Sequence, residues 1–224
     1  MDSSSKLKVL SFGAGAIGTY IGGSLALAGH EIVFIEQPPV AENLQKSGLI
    51  LDLCTDKRRG DKNVFTILPP QVAFETSLQS ALARGPFDVS LFALKSFDTI
   101  PALEGIASFQ SQLPPVLCLQ NGVDNEPAIA SVLGSDKVIY GTVTSAIGRK
   151  AAGSIVLEKL RGVGVAAGHP LSEKLVAALD GALLNARLYP KAADMKWSKM
   201  LTNLIANAAS AILDMTAAEI FSHP

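Results

Sequence analysis

A glycine-rich turn near the N-terminus limits the possible folds of this chain more than any other feature. The pattern G-x-G-x-x-G is matched by Gly13-Ala14-Gly15-Ala16-Ile17-Gly18. An apolar segment, residues 7–12, precedes the turn, and a helix-compatible segment, residues 17–28, follows it and ends at Gly29. A strand, this turn and a helix, in that order, begin a dinucleotide-binding Rossmann domain. A chance glycine cluster in a loop is the alternative, and it would not predict the flanking strand and helix.

Each glycine of the turn has its own task in this interpretation. Gly13 permits the tight turn, Gly15 lets the backbone approach a pyrophosphate, and Gly18 lets the helix pack close to the strand. The helix N-terminus offers free N–H groups and a partial positive charge to the two phosphates. We therefore predict that residues 13–18 bind a dinucleotide cofactor.

Strand-like and helix-like segments alternate along most of the chain. The predicted strands are residues 7–12, 31–35, 49–53, 63–68, 87–94, 115–119 and 138–146. The predicted helices between them are residues 17–28, 40–47, 74–84, 99–109 and 125–133. This mostly βαβα order, with continuously apolar strands, predicts an α/β fold with a Rossmann-type, doubly wound parallel sheet.

The pattern changes after about Gly148, where glycines separate shorter segments. Residues 154–158 and 162–166 predict two antiparallel strands added at the edge of the sheet, followed by a helix at 171–184 and a strand at 186–189. From Lys191 the pattern is helical to the end. We predict a Rossmann domain over residues 1–188 and the beginning of an all-helical second domain over residues 189–224.

Composition excludes several classes of protein. The 224 residues carry a formal charge of −1, which offers no electrostatic attraction to nucleic acid or to an anionic membrane. The N-terminal residues include Asp2 and lack the apolar core of a secretory signal, and no apolar stretch reaches the length of a bilayer span. We expect a cytoplasmic protein. The only two cysteines, Cys54 and Cys118, are too far apart in sequence to suggest a zinc site, and we expect no metal.

A second pattern lies on the predicted C-terminal helix. Lys199, Asn203 and Asn207 follow one another at intervals of four residues, which places their side chains on one side of a helix. The neighbouring residues are mainly apolar, and an asparagine there is costly unless its amide is hydrogen-bonded. Two structural asparagines beside a solvated lysine fit this spacing, and so does a row of donors facing a polar ligand.

Two predicted strand ends carry polar side chains. Lys95 follows the strand at 87–94, and Asn121 follows the strand at 115–119 after one intervening residue. Because the carboxyl ends of parallel strands line the ligand crevice of a doubly wound sheet, both side chains should face the same crevice as the glycine turn. The alternative at each position is an ordinary turn residue.

In combination, these motifs make the chain similar to the ketopantoate reductase family, the 2-dehydropantoate 2-reductases and their relatives. The resembling segments are residues 13–18, Leu94-Lys95-Ser96, Leu119-Gln120-Asn121-Gly122 and Lys196-Trp197-Ser198-Lys199-Met200-Leu201-Thr202-Asn203. The resemblance implies a Rossmann domain joined to an all-helical domain, with the active site between them. It also implies reduction of a 2-oxo acid by hydride from a nicotinamide, with ketopantoate of pantothenate biosynthesis as the default substrate.

The resemblance further implies roles for individual residues. Lys199 would be the general acid toward the substrate carbonyl, and Asn203 and Asn207 would bind or adjoin the substrate. Lys95 and Asn121 would lie near the substrate and the nicotinamide end of the cofactor. These residue types suit the chemistry, because a hydride arriving at a ketone builds negative charge on its oxygen. A lysine can donate the required proton if burial lowers its pKa.

The second strand departs from the family at its end. Family members usually prefer NADPH and hold its 2′-phosphate with a basic residue, but here Gln37 stands at that place and Glu36 precedes it. An acidic residue at about this distance from the turn typically hydrogen-bonds the ribose 2′-hydroxyl of NAD and would repel a phosphate. The resemblance therefore favours NADPH, whereas Glu36 favours NADH. For NADPH, Glu36 would point to solvent, or one of Lys57, Arg58 and Arg59 would supply positive charge.

The family also continues for several helices beyond the point that corresponds to Pro224, and these helices carry a glutamate and a serine used in the reaction. We therefore expect exposed apolar surface on residues 190–224 and weak or absent catalysis by this chain alone.

Several interpretations remain open from sequence. The substrate is a small 2-oxo acid, either ketopantoate or another branched or aromatic one, and a homodimer is compatible with the pattern. A dehydrogenase of 3-hydroxy acids is one alternative. A dinucleotide-binding module without catalysis is another.

Overall fold

The structure, a computed structural model, describes residues 6–222. Its strands are β1 Lys8–Phe12, β2 Glu31–Ile35, β3 Leu49–Asp52, β4 Val64–Ile67, β5 Val72–Glu75, β6 Val89–Phe92, β7 Val116–Cys118, β8 Val138–Val143, β9 Ala146–Ala151, β10 Ser154–Lys159, β11 Val163–Ala166 and β12 Ala186–Tyr189. Its α-helices are α1 Ala16–Leu27, α2 Pro38–Ser47, α3 Leu78–Leu82, α4 Thr99–Ile106, α5 Asn125–Leu133, α6 Ser172–Gly181, α7 Ala192–Asn203, α8 Ala209–Leu213 and α9 Ala217–Ser222. None of the helices within these residues is long and apolar enough to cross a bilayer.

The main sheet confirms the predicted doubly wound α/β fold. Its eight strands lie in the order β12-β11-β8-β7-β6-β1-β2-β5. All neighbouring strands are parallel except β8 and β11, which are antiparallel. The strand order reverses between β1 and β6, and ligands of such sheets bind at this reversal, outside the carboxyl ends of the strands. All four residues of β6 are buried, as expected for a strand covered on both faces.

A second, four-stranded sheet covers the other side of α1 in the order β4-β3-β10-β9. At two glycines of α1 the helix lies very close to its neighbours: a Cβ on Gly22 would lie 2.7 Å from the Phe34 ring, and a Cβ on Gly23 would lie 2.8 Å from Leu51. Residues 18–26 of α1 are all buried, which explains why this helix is apolar around its whole circumference. The helix that follows the glycine turn is therefore held firmly between two layers.

The predicted position of residues 154–158 is wrong. Instead of joining the main sheet, β10 pairs antiparallel with β9 and parallel with β3 in the second sheet. Ile155 and Leu157 are buried there in the core that includes α1. Only β11 joins the main sheet as predicted, antiparallel to β8, and β12 lies outside it as the edge strand.

The predicted helix over residues 74–84 is wrong in its first part. Val72–Glu75 forms β5, an edge strand parallel to β2, with Val72 and Phe74 buried. Helix α3 follows and covers only Leu78–Leu82, beginning after Ser77, whose side chain accepts the N–H of Ser80. The alternating burial in β5 is the two-residue period of a strand, whereas the apolar residues taken together with those of α3 also fit a helical period.

The C-terminal segment turns helical where expected. The last strand ends at Tyr189 and α7 begins at Ala192, although the division into two domains at residues 188 and 189 stays a prediction. Helix α7 lies against the main sheet through Met195 and Lys196, which are buried. The expected apolar surface on residues 190–224 is confirmed for the described part of this segment, which ends at residue 222, and its large exposed members are Trp197, Leu201, Leu204, Ile212, Leu213 and Phe221.

Candidate active site

The glycine turn joins β1 to α1 and exposes bare backbone. Gly13 has a φ of +90°, a left-handed conformation that glycine adopts without strain. A Cβ on Gly18 would lie 2.2 Å from the carbonyl oxygen of Gly13, so only glycine fits where the helix meets the turn. A Cβ on Gly15, the N-cap of α1, would meet nothing within 4 Å. The turn therefore leaves room for a pyrophosphate to reach the helix N-terminus.

Replacing Gly18 by alanine is expected to weaken dinucleotide binding about tenfold or more, a cost of at least about 1.4 kcal/mol. The added methyl would push against the Gly13 carbonyl and displace the turn. Fluorescence titration with NADH measures the effect. Gly105→Ala on helix α4 is the matched control, because a Cβ added there would meet nothing within 4 Å. An unchanged NADH affinity in Gly18→Ala would show that the turn does not hold the cofactor.

Asn121 lines two cavities. One of them, called here the dinucleotide cavity, opens in front of the glycine turn. This dinucleotide cavity measures about 470 Å³. The predicted cofactor residues that line it are Gly13, Gly15, Ala16, Ile17, Glu36, Lys95 and Asn121. Ala14 and Gly18 belong to the same turn but do not line the cavity. The strand ends therefore converge as the parallel sheet predicts.

Glu36 lies directly against the glycine turn. Its Oε1 accepts the N–H of Ala14 at 2.5 Å, and its Oε2 accepts the N–H of Gln37 at 3.3 Å. A side cavity of about 280 Å³ adjoins it, and its lining includes Gln37 and Thr76 but no lysine or arginine within residues 6–222. The carboxylate is thus placed where it can accept a ribose hydroxyl, and it does not turn away to solvent.

The three basic residues considered as a source of charge for NADPH lie elsewhere. Arg58 and Arg59 form ion pairs with the buried carboxylate of Asp56, at 2.7 and 3.3 Å. Their guanidinium groups also donate to the carbonyls of Leu183 and Ala182 after helix α6. Neither they nor Lys57 line the cavities beside Glu36 in the described part of the chain.

Gln120 holds the two polar strand ends together. Its buried amide donates to the carbonyls of Leu94 and Lys95, at 3.0 and 3.3 Å, and to the hydroxyl of Thr99, at 2.9 Å. This amide therefore fixes the backbone that carries Lys95 and precedes Asn121. This role of Gln120 was not predicted from the sequence. Its signal was a polar residue placed immediately after a wholly apolar strand.

A second cavity, the Lys199 cavity, measures about 380 Å³. All three polar residues of the C-terminal pattern, Lys199, Asn203 and Asn207, line it. Asn203 is the last residue of α7, whereas Asn207 lies in a π-helical turn, Leu204–Ala208. Such turns occur frequently at functional sites.

The two cavities adjoin at Asn121. They share four lining residues, namely Ile17, Leu119, Asn121 and Ile147. Lys95, predicted for both cofactor and substrate, lines only the dinucleotide cavity. The fold therefore brings together the glycine turn, Asn121 and the C-terminal helix. Lys199, the candidate proton donor, lines the cavity on one side of Asn121, and the dinucleotide cavity lies on the other side.

Lys199 is half-buried and faces a second cation. Burial lowers its pKa from the ordinary lysine value, and the positive charge of Arg161 lowers it further. Arg161 lines the same cavity, together with Glu158. A lowered pKa makes the ammonium a better proton donor near neutral pH. No sequence motif marks Arg161, which lies in the connection from β10 to β11.

A buried ion pair anchors α7 one turn before Lys199. The Nζ of Lys196 lies 2.7 Å from Oε1 of Glu126 on α5, and the two side chains are 5% and 0% exposed. The same ammonium donates to the carbonyls of Gln120 and Gly141, at 2.8 and 3.3 Å. The helix that carries Lys199 is thus tied to the residue that precedes Asn121. Lys196 was part of the resembling motif, but no role was assigned to it or to Glu126.

The family model "Ketopantoate reductase PanE/ApbA" matches residues 9–168, which include the glycine turn, Lys95 and Asn121. The chain belongs to the ketopantoate reductase PanE/ApbA family. The resemblance inferred from the motifs is thereby confirmed. The family is one of nicotinamide dinucleotide-dependent reductases.

Individual relatives extend the match beyond residue 168. The 2-dehydropantoate 2-reductase of Pyrococcus horikoshii is 27% identical over 214 residues, which cover 93% of this chain and 65% of that protein. The solved structure of 2-dehydropantoate 2-reductase from Geobacter metallireducens GS-15 is 25% identical, with a TM-score of 0.80 over 97% of this chain and 69% of the other.

A third solved structure shares the fold at lower identity. D-mandelate dehydrogenase in a ternary structure with NADH and anilino(oxo)acetate has a TM-score of 0.76 at 20% identity, over 96% of this chain and 67% of the other. The chain spans 40% to 69% of the lengths of five curated relatives that it matches.

Proposed function

We propose that this chain carries the reaction site of a 2-oxo acid reductase of the ketopantoate reductase type, which converts the C2 ketone of ketopantoate to the hydroxyl of pantoate. One observation carries the proposal: the dinucleotide cavity and the Lys199 cavity adjoin at Asn121. A nicotinamide at that junction would lie between the glycine turn, which lines the dinucleotide cavity, and the ammonium group of Lys199, which lines the second cavity. The 2-dehydropantoate 2-reductases among the relatives favour ketopantoate as the substrate.

A nicotinamide dinucleotide, when bound, supplies the hydride. The chain's own residues bind the cofactor, orient the substrate and protonate the ketone oxygen. The turn at residues 13–18 holds the pyrophosphate with its free N–H groups. Asn203 and Asn207 offer amide donors and acceptors to the polar groups of the substrate. The Nζ of Lys199 donates a hydrogen bond to the ketone oxygen, stabilises the negative charge that develops there, and gives up its proton to complete the alcohol.

We further propose NADH as the preferred cofactor. Glu36 presents a carboxylate at the position that binds the ribose 2′-hydroxyl, and the side cavity next to it is lined by no cation within the described residues. A 2′-phosphate would meet this carboxylate at close range and be repelled. D-mandelate dehydrogenase, which shares the fold, binds NADH.

The parent chain is expected to bind NADH about tenfold or more tightly than NADPH, because one uncompensated like-charge contact costs on the order of 1–2 kcal/mol. The double variant Glu36→Gln/Gln37→Arg removes the carboxylate and supplies a cation, and it should reverse the preference. Glu42→Gln, which changes an exposed carboxylate on α2, is the matched control. Dissociation constants for both cofactors measure the ratio, and tighter binding of NADPH by the parent chain would contradict the proposal.

The reaction itself is tested by following the absorbance of NADH with ketopantoate as substrate. Oxidation that depends on ketopantoate supports the proposal directly. Calorimetric titration of the NAD⁺-saturated chain with ketopantoate gives a second readout that does not require turnover, because the oxidised cofactor has no hydride to transfer. Turnover or binding with an aromatic 2-oxo acid in place of ketopantoate would change the substrate and keep the reaction class. NADH binding without binding of any 2-oxo acid would instead indicate a dinucleotide-binding module.

A further inference from the structure

We propose that Arg161 is the residue that binds the carboxylate of the 2-oxo acid and makes the site select acids over neutral ketones. The inference rests on the proposed function, since it assigns one half of the proposed substrate. Nothing in the motifs that relate the chain to its family includes Arg161.

The backbone at Arg161 is fixed at the wall of the Lys199 cavity. The buried hydroxyl of Ser145 accepts the N–H groups of both Arg161 and Gly162, each at 3.0 Å. The guanidinium donates to the carbonyl of Thr144 at 3.4 Å, and Thr144 lines the same cavity. The loop between β10 and β11 therefore holds this side chain next to the cavity with most of its donors still available.

Arg161 has no carboxylate partner within ion-pair distance among residues 6–222. Arg58, Arg59 and Arg84 each form an ion pair with a carboxylate, whereas neither Arg161 nor Lys199 forms one within residues 6–222. Glu158 is the acidic side chain that lines the cavity with these two cations. Two cations and one carboxylate leave the wall with a net positive charge, which favours an anionic ligand.

The two cations, Lys199 and Arg161, match the two polar groups of a 2-oxo acid, its ketone and its carboxylate. Such a molecule carries its ketone and its carboxylate on adjacent carbons, so the groups that recognise them must lie close together. The charge of Arg161 is near enough to Lys199 to lower the pKa of that lysine. With Lys199 on the ketone oxygen, the planar guanidinium of Arg161 can bind the carboxylate through two parallel hydrogen bonds.

The cofactor is a poorer partner for Arg161. Its phosphates belong at the glycine turn, in the dinucleotide cavity, and Arg161 does not line that cavity. Arg149 lines the dinucleotide cavity and is therefore the better placed of the two arginines to contact the cofactor. The position of Arg161 on the side of Lys199 therefore assigns it to the substrate.

The test uses oxamate, an unreactive analogue of a 2-oxo acid, and oxamide, its neutral counterpart. Each is titrated calorimetrically into the NADH-saturated chain and into two variants. Arg161→Gln removes the proposed ligand. Arg187→Gln is the matched control, because Arg187 shares a neighbouring cavity of about 200 Å³ with Arg161 but does not line the Lys199 cavity.

Arg161→Gln is expected to weaken oxamate binding about 10- to 100-fold, the range for a lost charge-assisted bidentate pair. Its binding of NADH and of oxamide should stay within about twofold of the parent. Arg187→Gln should bind oxamate like the parent, and Arg161→Lys should retain part of the affinity, because it keeps the charge without the planar fork.

Three results would overturn the inference. Equal oxamate affinities in Arg161→Gln and the parent would remove Arg161 from substrate binding and leave the proposed function intact. Equal losses of oxamate affinity in Arg161→Gln and Arg187→Gln would show that general surface charge, and not a specific contact with Arg161, attracts the carboxylate. A parent chain that binds NADH but neither oxamate nor ketopantoate would overturn the proposed substrate class and the role of Arg161 together.

Discussion

Replacing Lys199 by alanine is expected to lower turnover of a 2-oxo acid by about 10²- to 10⁴-fold, the usual contribution of a positioned general acid, when parent and variant both carry the further helices that the resemblance implies. NADH affinity should not change, because Lys199 lines only the cavity beyond Asn121. Steady-state oxidation of NADH measures the first effect, and fluorescence titration measures the second. Lys191→Ala is the matched control, since Lys191 is exposed at the start of the same helix.

The pH dependence of the rate gives an independent check on this role. The donor must be protonated, so the rate should fall as the pH rises through the pKa of Lys199. Because burial and the charge of Arg161 lower that pKa, the rate should begin to decrease at a lower pH than the pKa of an ordinary lysine would give. Arg161→Gln removes one of the two causes and should move the fall to higher pH. Equal turnover in Lys199→Ala and the parent would remove Lys199 from the mechanism.

Replacing Lys196 by methionine is expected to lower the free energy of unfolding by about 3–5 kcal/mol, the usual cost of breaking a buried ion pair from one side. The substitution leaves the carboxylate of Glu126 fully buried without its cation. It also removes the hydrogen bonds to the Gln120 and Gly141 carbonyls. Helix α7 should loosen first, because these contacts attach it to the sheet.

Urea unfolding measures this effect with two probes. Far-ultraviolet circular dichroism follows the whole chain, and fluorescence of the single tryptophan, Trp197, follows α7. Lys191→Met is the control for loss of an exposed charge. The double variant Lys196→Met/Glu126→Leu should recover a large part of the lost stability, because it leaves no unpaired charge in the core. A single variant Lys196→Met as stable as the parent would contradict the structural role of the pair.

The local parts of the fold could be predicted because their signals lie within a few residues. The glycine turn, the apolar strands β1, β6 and β7, and the spacing of Lys199, Asn203 and Asn207 all depend on neighbours along the chain. The same locality explains the errors. Phe74 and Glu75 fit a helix when they are considered with the residues of α3, and only the pairing of Val72–Glu75 with β2 makes this segment a strand. The second sheet also depends on a distant pairing, between β3 and β10.

The sequence by itself determined the class of fold, the glycine turn at residues 13–18 and the polar spacing of Lys199, Asn203 and Asn207. The resemblance to the family added the general acid role of Lys199 and the conflict between Glu36 and the family's usual cofactor. Turn geometry, residue periodicity and side-chain chemistry are properties of short segments, and a single sequence displays them. Only the tertiary structure decided how those segments are held together. Lys196 reaches the carbonyl of Gln120 from 76 residues away, and Arg161 comes to face Lys199 because β10 and β11 belong to different sheets. Such contacts arise when distant segments bury a common surface, and no local pattern encodes which segments will meet.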